Sequence, residues 1–396
     1  MEKNKKILMV SFRCPWPQDK GGYILRFLNI AKILAKNYKV DLLTIVKNKK
    51  EKQCVDDLKG IFNSVVYFYH PKFSEYFGAL KAVFSSKPLQ VGYYYSPLMA
   101  KWLKDNYKDY DLIFCSTIRT AEYVKKLNVR KCIDFIDAIS LNYQQAVKSS
   151  KFPWKLIYSI ENNRLLNYER EIADIFDLSF ITTQKDKDCI LKEEVRKMVV
   201  LPNGVKEELL KRKFVGKEEN WLTFFGKMDY QPNEDACIFF AQEVFPKIKK
   251  IVPDIKFYII GMNPTRKVLN LQKIEGVKVT GKVDDPYLYL EKAKVIIAPI
   301  RFGGGIQNKV LEGMALGKAV LTSYIGAAGI TKAKDGEHLA VANHKKPEEM
   351  AEKAVRLLRD DESRQKIGRN AKKLILENYT WEKAEKRLFE TLSLII

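Results

Sequence analysis

The sequence contains few cysteines and no long apolar run, and both absences restrict the kind of protein that it encodes. Its six cysteines are scattered along 396 residues and form no CxxC pair. This pattern fits a reducing cytoplasm better than a disulfide framework. No segment approaches the roughly 20 consecutive apolar residues that span a bilayer. The short apolar segment that ends at Arg13 is therefore interpreted as a first β-strand and not as a signal peptide.

Acidic residues are outnumbered by basic ones, and this imbalance bears on the partners of the protein. The chain has 70 Lys and Arg against 48 Asp and Glu, which gives a formal net charge of +22 at pH 7. Nucleic acid, an anionic membrane and phosphorylated substrates are the partners that such a charge attracts. The sequence has no RRM, helix-turn-helix or zinc-type signature, which argues against specific nucleic-acid binding.

Short apolar segments alternate with amphipathic helical patterns along most of the chain. This alternation is typical of βαβ units and predicts parallel sheets. With 396 residues, 46% of them hydrophobic, the chain is long enough for two domains with separate cores. The predicted strands are KKILMVSF, KVDLLTIV, SVVYFYH, YDLIFCS, KCIDFID and DLSFITT in the first half, and WLTFFG, DIKFYIIG, GVKVTGKV, KVIIAPI, KAVLTS and EHLAVA in the second.

The alternation pauses once, near the middle of the chain. Leu201-Pro202-Asn203-Gly204 has turn chemistry, and the charged stretch KEELLKRKFVGKEEN follows it. We interpret this region as a domain linker. The predicted architecture is α/β, with two parallel-sheet domains in series and a ligand site in the cleft between them.

Residues 294–323, KVIIAPIRFGGGIQNKVLEGMALGKAVLTS, carry the clearest chemical signal. A buried strand ends just before Arg301 and Gly303-Gly304-Gly305, so these residues fall where α/β domains bind ligands. The next helix directs its positive dipole end at this loop, and Lys309 and Glu312 share one helical face. A diphosphate held by loop amides, Arg301 and Lys309, with Glu312 on sugar hydroxyls, is chemically coherent. A purely structural glycine turn is the alternative.

This segment resembles the donor-site signature of the family 4 retaining glycosyltransferases, which have the GT-B fold. It is most similar to the subgroup in which a strand ending in Pro-x-Arg is followed by Gly-Gly-Gly and then by Asn-Lys-x-Leu-Glu. The similarity extends in order over most of the chain. The other matching segments are SFRCPWPQDKGGYILRFLNIAKIL, CIDFIDAIS, RLLNYEREIADIFD, LPNGV, FFGKMDYQPNEDA and YTWEKAEKRL.

The resemblance implies a GT-B architecture of two Rossmann-like domains that face each other across a cleft. Residues 1–205 would bind the acceptor, residues 206–378 would bind the nucleotide sugar, and residues 379–396 would form a helix that returns to the N-terminal domain. The implied activity is transfer of a sugar from a UDP- or GDP-linked donor to a lipid-linked or cell-surface glycan precursor, with retention of anomeric configuration. The resemblance implies no cofactor and no catalytic metal.

Three other functions remain open on the sequence alone. A sugar-nucleotide epimerase of the same fold would share the nucleotide site but would act on the donor alone. A basic nucleic-acid-binding protein is suggested only by charge, and a two-domain sugar-binding protein would be expected to carry an export signal.

The resemblance also assigns site residues. Gly21 and Gly22 match a glycine loop that closes over donor phosphates and acceptor, and Asp19 beside them is expected on the acceptor. Gly226-Lys227 stands where many relatives have a Gly-Arg pair whose arginine holds donor phosphate, and the ammonium of Lys227 cannot make the bidentate contact of an arginine. Lys227 is expected to stabilise the leaving diphosphate together with two further cations. The full expected donor set is Gly21, Gly22, Gly226, Lys227, Arg301, Gly303, Gly304, Gly305, Ile306, Lys309 and Glu312.

The sequence departs from the family pattern at two further places. A second lysine that many members carry is missing, since Pro232-Asn233 stands at its position. Of the two glutamates that many members carry, the first falls at Gly304, while the second matches Glu312 and is expected on the nucleotide ribose. Recognition of the transferred sugar is therefore expected from loop amides around Gly305-Ile306.

A general base is harder to identify. Asp137 ends the strand KCIDFID, where relatives hold a polar or acidic residue, so it could accept the proton of the acceptor hydroxyl. Arg119 follows another strand end and is expected to contact the acceptor or a phosphate. In retaining enzymes of this fold the leaving phosphate can itself act as base, so a dedicated residue is not required. The histidines, expected to be structural or on the surface, are His70, His338 and His344.

An aromatic segment in the first half raises the question of a membrane surface. Residues 72–87 place Phe73, Phe77, Leu80 and Phe84 at helical spacing, with lysines nearby. Such a helix either lies in the interface of an anionic bilayer or packs on the first sheet, and both alternatives remain open. Together with the net charge, the first alternative predicts a cytoplasmic protein that associates peripherally with the inner face of the cell membrane.

Overall fold

Two parallel β-sheets, one in each half of the chain, organise the fold. The computed structural model describes residues 5–17, 21–191 and 197–396. The chain forms two compact units, Met1–Pro202 with Glu385–Ile396 and Asn203–Ala384. Each unit contains one sheet covered by helices, so the prediction of two Rossmann-like parallel-sheet domains is confirmed.

The first unit contains a seven-stranded parallel sheet with the order β3-β2-β1-β4-β5-β6-β7. Its strands are β1 (Lys6–Val10), β2 (Lys39–Val46), β3 (Ser64–Tyr69), β4 (Leu112–Ser116), β5 (Lys131–Ile136), β6 (Leu178–Ile181) and β7 (Met198–Val200). Its helices are α1 (Gly22–Asn37), α2 (Lys49–Leu58), α3 (Lys72–Val83), α4 (Leu89–Tyr93), α5 (Pro97–Asn106), α6 (Ile118–Val124), α7 (Ile139–Ser149), α8 (Trp154–Ile175) and α9 (Gln184–Ile190).

The second unit contains a six-stranded parallel sheet with the order β10-β9-β8-β11-β12-β13. Its strands are β8 (Glu219–Phe225), β9 (Lys256–Ile260), β10 (Val277–Gly281), β11 (Ala293–Ala298), β12 (Ala319–Ser323) and β13 (Ala340–Ala342). The helices of this half are α10 (Glu207–Lys211), α11 (Gln231–Phe239), α12 (Phe245–Ile251), α13 (Arg266–Leu269), α14 (Tyr287–Lys292), α15 (Asn308–Ala315), α16 (Tyr324–Ala327), α17 (Pro347–Arg359), α18 (Asp361–Asn378) and α19 (Trp381–Leu392). A π-helical turn, Phe240–Val244, joins α11 to α12.

All twelve predicted strands are present, because each contains a short run of apolar residues. The inner strands are mostly buried by helices, while the edge strands β3 and β10 are only partly buried. In β2, for example, seven of eight residues are buried. The sequence interpretation missed β7, which has only three residues and pairs with β6 at the edge of the sheet. A run of three apolar residues carries no detectable period.

The two sheets share one topological feature that decides where ligands can bind. In the first, β1 pairs with both β2 and β4, so the strand order reverses its direction between β1 and β4. In the second, β8 pairs with β9 and β11 and creates the same reversal. Doubly wound sheets bind ligands in the crevice at such a switch point, beyond the carboxyl ends of the strands.

The C-terminal helix α19 contributes to the first unit through its last residues. Lys36 in α1 donates a 2.5 Å hydrogen bond to Glu385, and the rings of Tyr38 and Phe389 lie 6.2 Å apart. These contacts explain why Glu385–Ile396 groups with the first sheet.

The apolar residues of α3 do not pack on the first sheet. Phe73 is 80% exposed, and the other apolar residues at the same helical spacing are exposed as well. A second exposed apolar segment, which the sequence interpretation missed, lies at the start of α8, where Phe152 is 82% exposed. We call these exposed residues the aromatic face: Phe73, Tyr76, Phe77, Leu80, Val83, Phe84, Phe152, Trp154, Leu156, Ile157 and Ile160.

Within the described parts of the chain, no helix combines the length and the apolar character that crossing a bilayer requires.

Candidate functional site

The switch point of the second sheet carries most of the predicted donor residues. The strands β8 and β11 are neighbours, so the segments that follow them, Gly226-Lys227 and residues 301–307, leave the sheet at adjacent positions. The helix α15 then carries Lys309 in its first turn and Glu312 one turn later. The tertiary structure therefore brings together residues that are about 80 positions apart in the sequence.

Lys309 lies in this cluster without an acidic partner. Its Nζ donates a 2.7 Å hydrogen bond to Oδ1 of Asn233 and lies 5.3 Å from the centre of the Phe224 ring. Within the described chain, no carboxylate lies within ion-pair distance of it. Burial lowers the pKa of Lys309 to about 8, because desolvation disfavours the charged ammonium. A bound anion would restore the charged form.

Glu312 is the acidic member of the cluster. Tyr287 Oη donates a 3.1 Å hydrogen bond to its Oε2. Burial raises the pKa of Glu312 to about 7, while the hydrogen bond from Tyr287 and the charges of Lys206 and Lys309 act in the opposite direction. The carboxylate retains acceptor capacity for hydroxyl groups, since Tyr287 is its one hydrogen-bond partner among the described residues.

Arg301 lies at the predicted strand end, but part of its guanidinium is already engaged. Its Nε and Nη2 donate to the two carboxylate oxygens of Asp235 at 2.7 and 2.5 Å. The guanidinium also stacks on Phe239, with 4.9 Å between Cζ and the ring centre. The hydrogen bonds with Asp235 raise the pKa of Arg301. This bidentate pair fixes the orientation of the guanidinium beside the glycine loop.

Lys227 and the neighbouring backbone are organised by Asn233. The side-chain amide of Asn233 donates to the carbonyl oxygen of Lys227 at 2.8 Å while its oxygen accepts from Lys309. The ammonium of Lys227 lies 3.4 Å from Asp229 and is partly exposed. Gly226 has φ 151°, and a Cβ there would lie 2.8 Å from Asn233 Nδ2, so a larger residue would strain the backbone and displace the Asn233 amide.

The glycine loop forms an open turn between β11 and α15. Gly303 and Gly305 have φ values of 126° and 67°, which L-residues with side chains rarely adopt. Gln307 Nε2 donates to the carbonyl oxygen of Gly304 at 3.4 Å, and Ile306 packs against the core of the second unit. The loop is therefore anchored at its C-terminal end by Ile306 and Gln307, and a ligand can approach its backbone closely at Gly303.

The first unit has its own polar cluster at the switch point between β1 and β4. Ser116 Oγ donates to Tyr23 Oη at 3.1 Å, and Tyr23 Oη lies 2.7 Å from Ser11 Oγ. Arg13 stacks over the Tyr23 ring at 4.7 Å, and Arg119 stacks over Tyr94 at 5.3 Å. Burial raises the pKa of Tyr23, so its hydroxyl stays neutral at physiological pH.

Asp137 follows β5 at the same edge of the first sheet. Asn142 Nδ2 donates a 3.0 Å hydrogen bond to its Oδ2. Burial and the neighbouring Asp186 raise the pKa of Asp137 to about 6, while Asn142 and the charge of Arg119 lower it. A carboxylate with this pKa is suited to accept a proton near neutral pH.

The backbone at this edge is strained. Thr117, directly after β4, has φ 63°, and Ile136, the last residue of β5, has φ 70°. Both residues are β-branched, and such residues rarely occupy the left-handed region. Each such conformation costs about 1–3 kcal/mol, and strained backbone is concentrated at functional sites.

The remaining residues named from the sequence fall outside these two clusters or outside the described residues. Gly21 precedes α1, and Gly22 is the first residue of that helix. Asp19 lies outside the residues that the structure describes. His70 is buried, with its Nε2 3.3 Å from the carbonyl oxygen of Tyr93, which fits the expected structural role. In the described ranges, no group of three or more His, Cys, Asp or Glu side chains could hold a metal ion.

Sequence reasoning missed several residues of both clusters. Asn233 and Asp235 stood inside the segment FFGKMDYQPNEDA, but their partners, Lys309 and Arg301, become neighbours only when β8 pairs with β11. Tyr287 lies in a short helix with no motif around it, so no signal in the sequence indicated its contact with Glu312.

Comparison with known proteins gives a family match in the second unit. Residues 219–360 match the family model described as glycosyl transferases group 1. This segment includes Lys309 and Glu312 together with the glycine loop. A protein in the cps region of Klebsiella pneumoniae is 24% identical over 97% of this chain and 99% of its own length. A protein of Methanocaldococcus jannaschii that is named as a glycosyltransferase is 29% identical over 47% of this chain and 48% of its own length.

Solved structures support the fold. Anabaena HepE, in a complex with UDP and glucose, aligns with a TM-score of 0.68 over 98% of this chain and 100% of that chain, at 14% identity. At this identity the likeness concerns the fold alone, which is the GT-B class of two Rossmann-like domains. The family match and the name of the archaeal relative further support a glycosyltransferase function for this protein.

Proposed function

We propose that the protein is a retaining glycosyltransferase that moves a sugar from a nucleoside-diphosphate donor to a glycan or lipid-linked acceptor. The observation that carries this proposal is the cluster of Lys309 and Glu312 on α15, directly after the glycine loop of the second sheet. Retention is supported by the resemblance of this segment to the donor signature of retaining enzymes.

Each residue of the cluster has a proposed role. Lys309 binds the diphosphate and stabilises the negative charge that develops on it as the glycosidic bond breaks. Lys227 lies on the same loop system and adds a second cation. Arg301, oriented by Asp235, supports the loop and contributes positive potential. Amides around Gly305 contact the transferred sugar.

Glu312 is proposed to accept hydrogen bonds from the ribose hydroxyls of the nucleotide. Tyr287 holds one of its oxygens, which leaves the other for the ligand. UDP is the first nucleotide to test, because the structure of Anabaena HepE contains UDP. GDP is the second.

The acceptor is proposed to bind to the first unit, at the edge that carries Arg119 and Asp137. The raised pKa of Asp137, about 6, suits a group that accepts the acceptor proton at neutral pH. The alternative base is the leaving phosphate itself. The epimerase and nucleic-acid-binding alternatives gain no support from the comparisons.

Glu312→Ala is the first test of the donor site. A ligand that binds the native state alone raises the melting temperature. We expect one nucleoside diphosphate from a panel of UDP, GDP, ADP and CDP to stabilise the wild type, and Glu312→Ala to weaken that binding about tenfold or more. Differential scanning fluorimetry across a ligand titration measures both effects.

Glu352→Ala is a matched control for this test, since Glu352 is an exposed glutamate on α17. It should respond to the nucleotide as the wild type does. Absence of any nucleotide effect on the wild type, at millimolar ligand, would contradict the proposed function.

The aromatic face is proposed to dock on an anionic membrane. One hydrogen bond links the helices that carry its two segments: Arg164 in α8, one turn beyond Ile160, donates to the carbonyl oxygen of Val83 at the end of α3 at 3.1 Å. A soluble monomer rarely exposes so many large apolar side chains together. Aromatic side chains on a basic helical surface are typical of peripheral membrane binding.

The charges around the aromatic face complement an anionic lipid surface. The acidic residues of these two segments, Glu75 and Glu161, are buried and do not face solvent. Glu75 pairs with Lys47, and Glu161 accepts a hydrogen bond from the backbone of Leu89.

Of the side chains that the structure describes in residues 71–87 and 151–160, the exposed charged ones are all lysines: Lys81, Lys87, Lys151 and Lys155. Each basic group near an anionic surface contributes about 1 kcal/mol. Localisation on the cytoplasmic face of the membrane follows from this proposal.

The double variant Phe73→Ser/Phe77→Ser and the single variant Trp154→Ser should each lose binding to vesicles. The wild type is expected to sediment with vesicles of phosphatidylcholine and phosphatidylglycerol but not with phosphatidylcholine alone. Loss of two inserted phenylalanines should weaken binding about tenfold or more. High salt should weaken the wild type as well.

Leu394→Ser is the matched control, because Leu394 is 80% exposed but lies outside the aromatic face. It should bind vesicles like the wild type. A wild type that ignores anionic vesicles and forms a dimer broken by Phe73→Ser/Phe77→Ser would instead identify the face as an interface between copies of this chain.

A further inference from the structure

Two arginines meet at the switch point of the first sheet, and neither is neutralised there. Arg13 follows β1 and Arg119 follows β4, and these two strands are neighbours. The guanidinium carbons of both lie close to the same ring, that of Phe12, at 5.1 and 4.6 Å from its centre. A single buried aromatic side chain therefore borders two cations.

Stacking on aromatic rings leaves the donors of these guanidinium groups at their edges. Arg13 also stacks on Tyr23, and Arg119 also stacks on Tyr94. The rings therefore contact the flat faces of the two guanidinium groups and leave the N–H groups at their edges uncovered. Arg119 uses Nε to donate to Gln90 Oε1 at 2.8 Å. Arg13 Nε is buried and has no hydrogen-bond partner among the described residues.

The local charge balance is positive. Across the described residues, no carboxylate lies within ion-pair distance of Arg13 or Arg119. The charge of Asp137 acts on Arg119, but the carboxylate of Asp137 accepts its hydrogen bond from Asn142. Burial lowers the pKa of Arg119, and the charge of Arg13 lowers it further. Two like charges in a partly buried place repel each other, and an anion between them would remove this cost.

Thr117 contributes a neutral, buried hydroxyl group directly after β4. The hydroxyl oxygen of Thr117, between Ser116 and Arg119 in sequence, is buried without a partner among the residues that the structure describes. The strained φ of Thr117, 63°, sets the position of this hydroxyl at the end of β4. The hydroxyl of Tyr23 lies beside Ser116 on the same edge. Guanidinium N–H groups and hydroxyl groups are the kinds of donor from which a tetrahedral oxyanion accepts hydrogen bonds.

We propose that Arg13 and Arg119 form a binding site for a phosphate group of the acceptor. The substrate class is thus a phosphorylated acceptor, either a soluble sugar phosphate or a lipid-linked phosphate or diphosphate. The assignment to the acceptor rests on the proposed transferase function. The anion site itself stands on the geometry of the first unit.

The test compares phosphorylated and neutral probes of the same skeleton. Glucose 1-phosphate with glucose represents the soluble source, and farnesyl phosphate with farnesol represents the lipid source. Isothermal titration of the full chain should show at least tenfold tighter binding of one phosphorylated probe than of its neutral partner. The pair that shows this difference identifies the source of the phosphate.

Arg13→Gln and Arg119→Gln should each weaken binding of that probe about 10- to 100-fold, because each removes charge-assisted hydrogen bonds. Arg13→Lys and Arg119→Lys keep the charge and should retain part of the affinity, which guards against loss through misfolding. Arg130→Gln is the matched control, since Arg130 is an exposed arginine at the opposite, amino end of β5. It should bind like the wild type.

Two results would overturn the proposal. One is equal binding of phosphorylated and neutral probes by the wild type. The other is loss of UDP binding, and not of probe binding, in Arg13→Gln and Arg119→Gln, which would assign the arginines to the donor. Failure of the wild type to bind any nucleotide, with phosphate binding intact, would reject the transferase function and leave the anion site standing.

Discussion

Lys309→Met should lower kcat/KM for sugar transfer about 100- to 1,000-fold. The substitution keeps the aliphatic length of the side chain and removes the ammonium that donates to Asn233 in the proposed donor cluster. Loss of a single preorganised donor to a developing negative charge commonly costs this much. The proposed leaving group is a diphosphate, so the penalty falls on the chemical step as well as on binding.

The measurement is steady-state transfer with a nucleotide sugar, combined with titration of the nucleoside diphosphate. Lys334→Met serves as the matched control, because Lys334 is an exposed lysine that contacts Glu337. Its kcat/KM should stay within twofold of the wild type. Unchanged transfer in Lys309→Met would remove Lys309 from the donor site.

The same residue predicts the alkaline side of the pH profile. Lys309 has a pKa of about 8 in the unliganded protein, so it is charged below pH 8 and neutral above it. Because the charged form is the one proposed to bind the diphosphate, kcat/KM should fall as the pH rises past 8. Glu312, with a pKa of about 7, should produce a fall as the pH drops below 7. Lys309→Met should lose the alkaline limb and keep the acid limb.

Arg26→Met should destabilise the first unit by about 3–5 kcal/mol. Arg26 is 1% exposed, and its Nε and Nη2 donate to Asp134 at 2.6 and 2.9 Å. Its Nη1 donates to the carbonyl oxygen of Leu201 at 2.9 Å, so α1 and β5 are joined to the end of the unit. Removal of one partner leaves the Asp134 carboxylate buried without its counter-charge, which is the costly case for buried pairs.

Thermal unfolding followed by circular dichroism measures this effect, and a loss of about 10 °C in the melting temperature is expected for a unit of this size. Arg130→Met removes an exposed arginine that pairs with Asp177, and should change stability by less than about 1 kcal/mol. The double variant Arg26→Met/Asp134→Leu should recover much of the loss, because no charge is then left buried. A double variant as unstable as Arg26→Met would show that packing, and not the unpaired charge, causes the loss.

The strands could be predicted from the sequence, but the pairing of side chains between them could not. Twelve strands were predicted from short apolar runs, because each run can be recognised from its own residues without knowledge of its neighbours in space. The pairing of Arg301 with Asp235 left no such signal. It depends on β8 lying beside β11, which is a property of strand order and not of either segment.

The exposed aromatic face illustrates a second limit. The apolar spacing of residues 72–87 is the same whether the helix faces a sheet or faces solvent. The helical period could therefore not decide between core and surface. The structure decides it by burying Glu75 and Ala82 and exposing Phe73, Phe77 and Phe84.

The sequence by itself determined the two parallel-sheet domains and predicted a donor loop at residues 301–312, because periodicity and the residue types at strand ends can both be recognised within a short stretch of sequence. Only the tertiary structure decided which charges have partners. Lys309 contacts Asn233, Arg301 contacts Asp235, and Arg13 and Arg119 meet around Phe12 without a carboxylate in ion-pair distance among the described residues. The physical reason is that electrostatic energy depends on distance in space, and strand order brings together residues that are about 100 positions apart in the sequence.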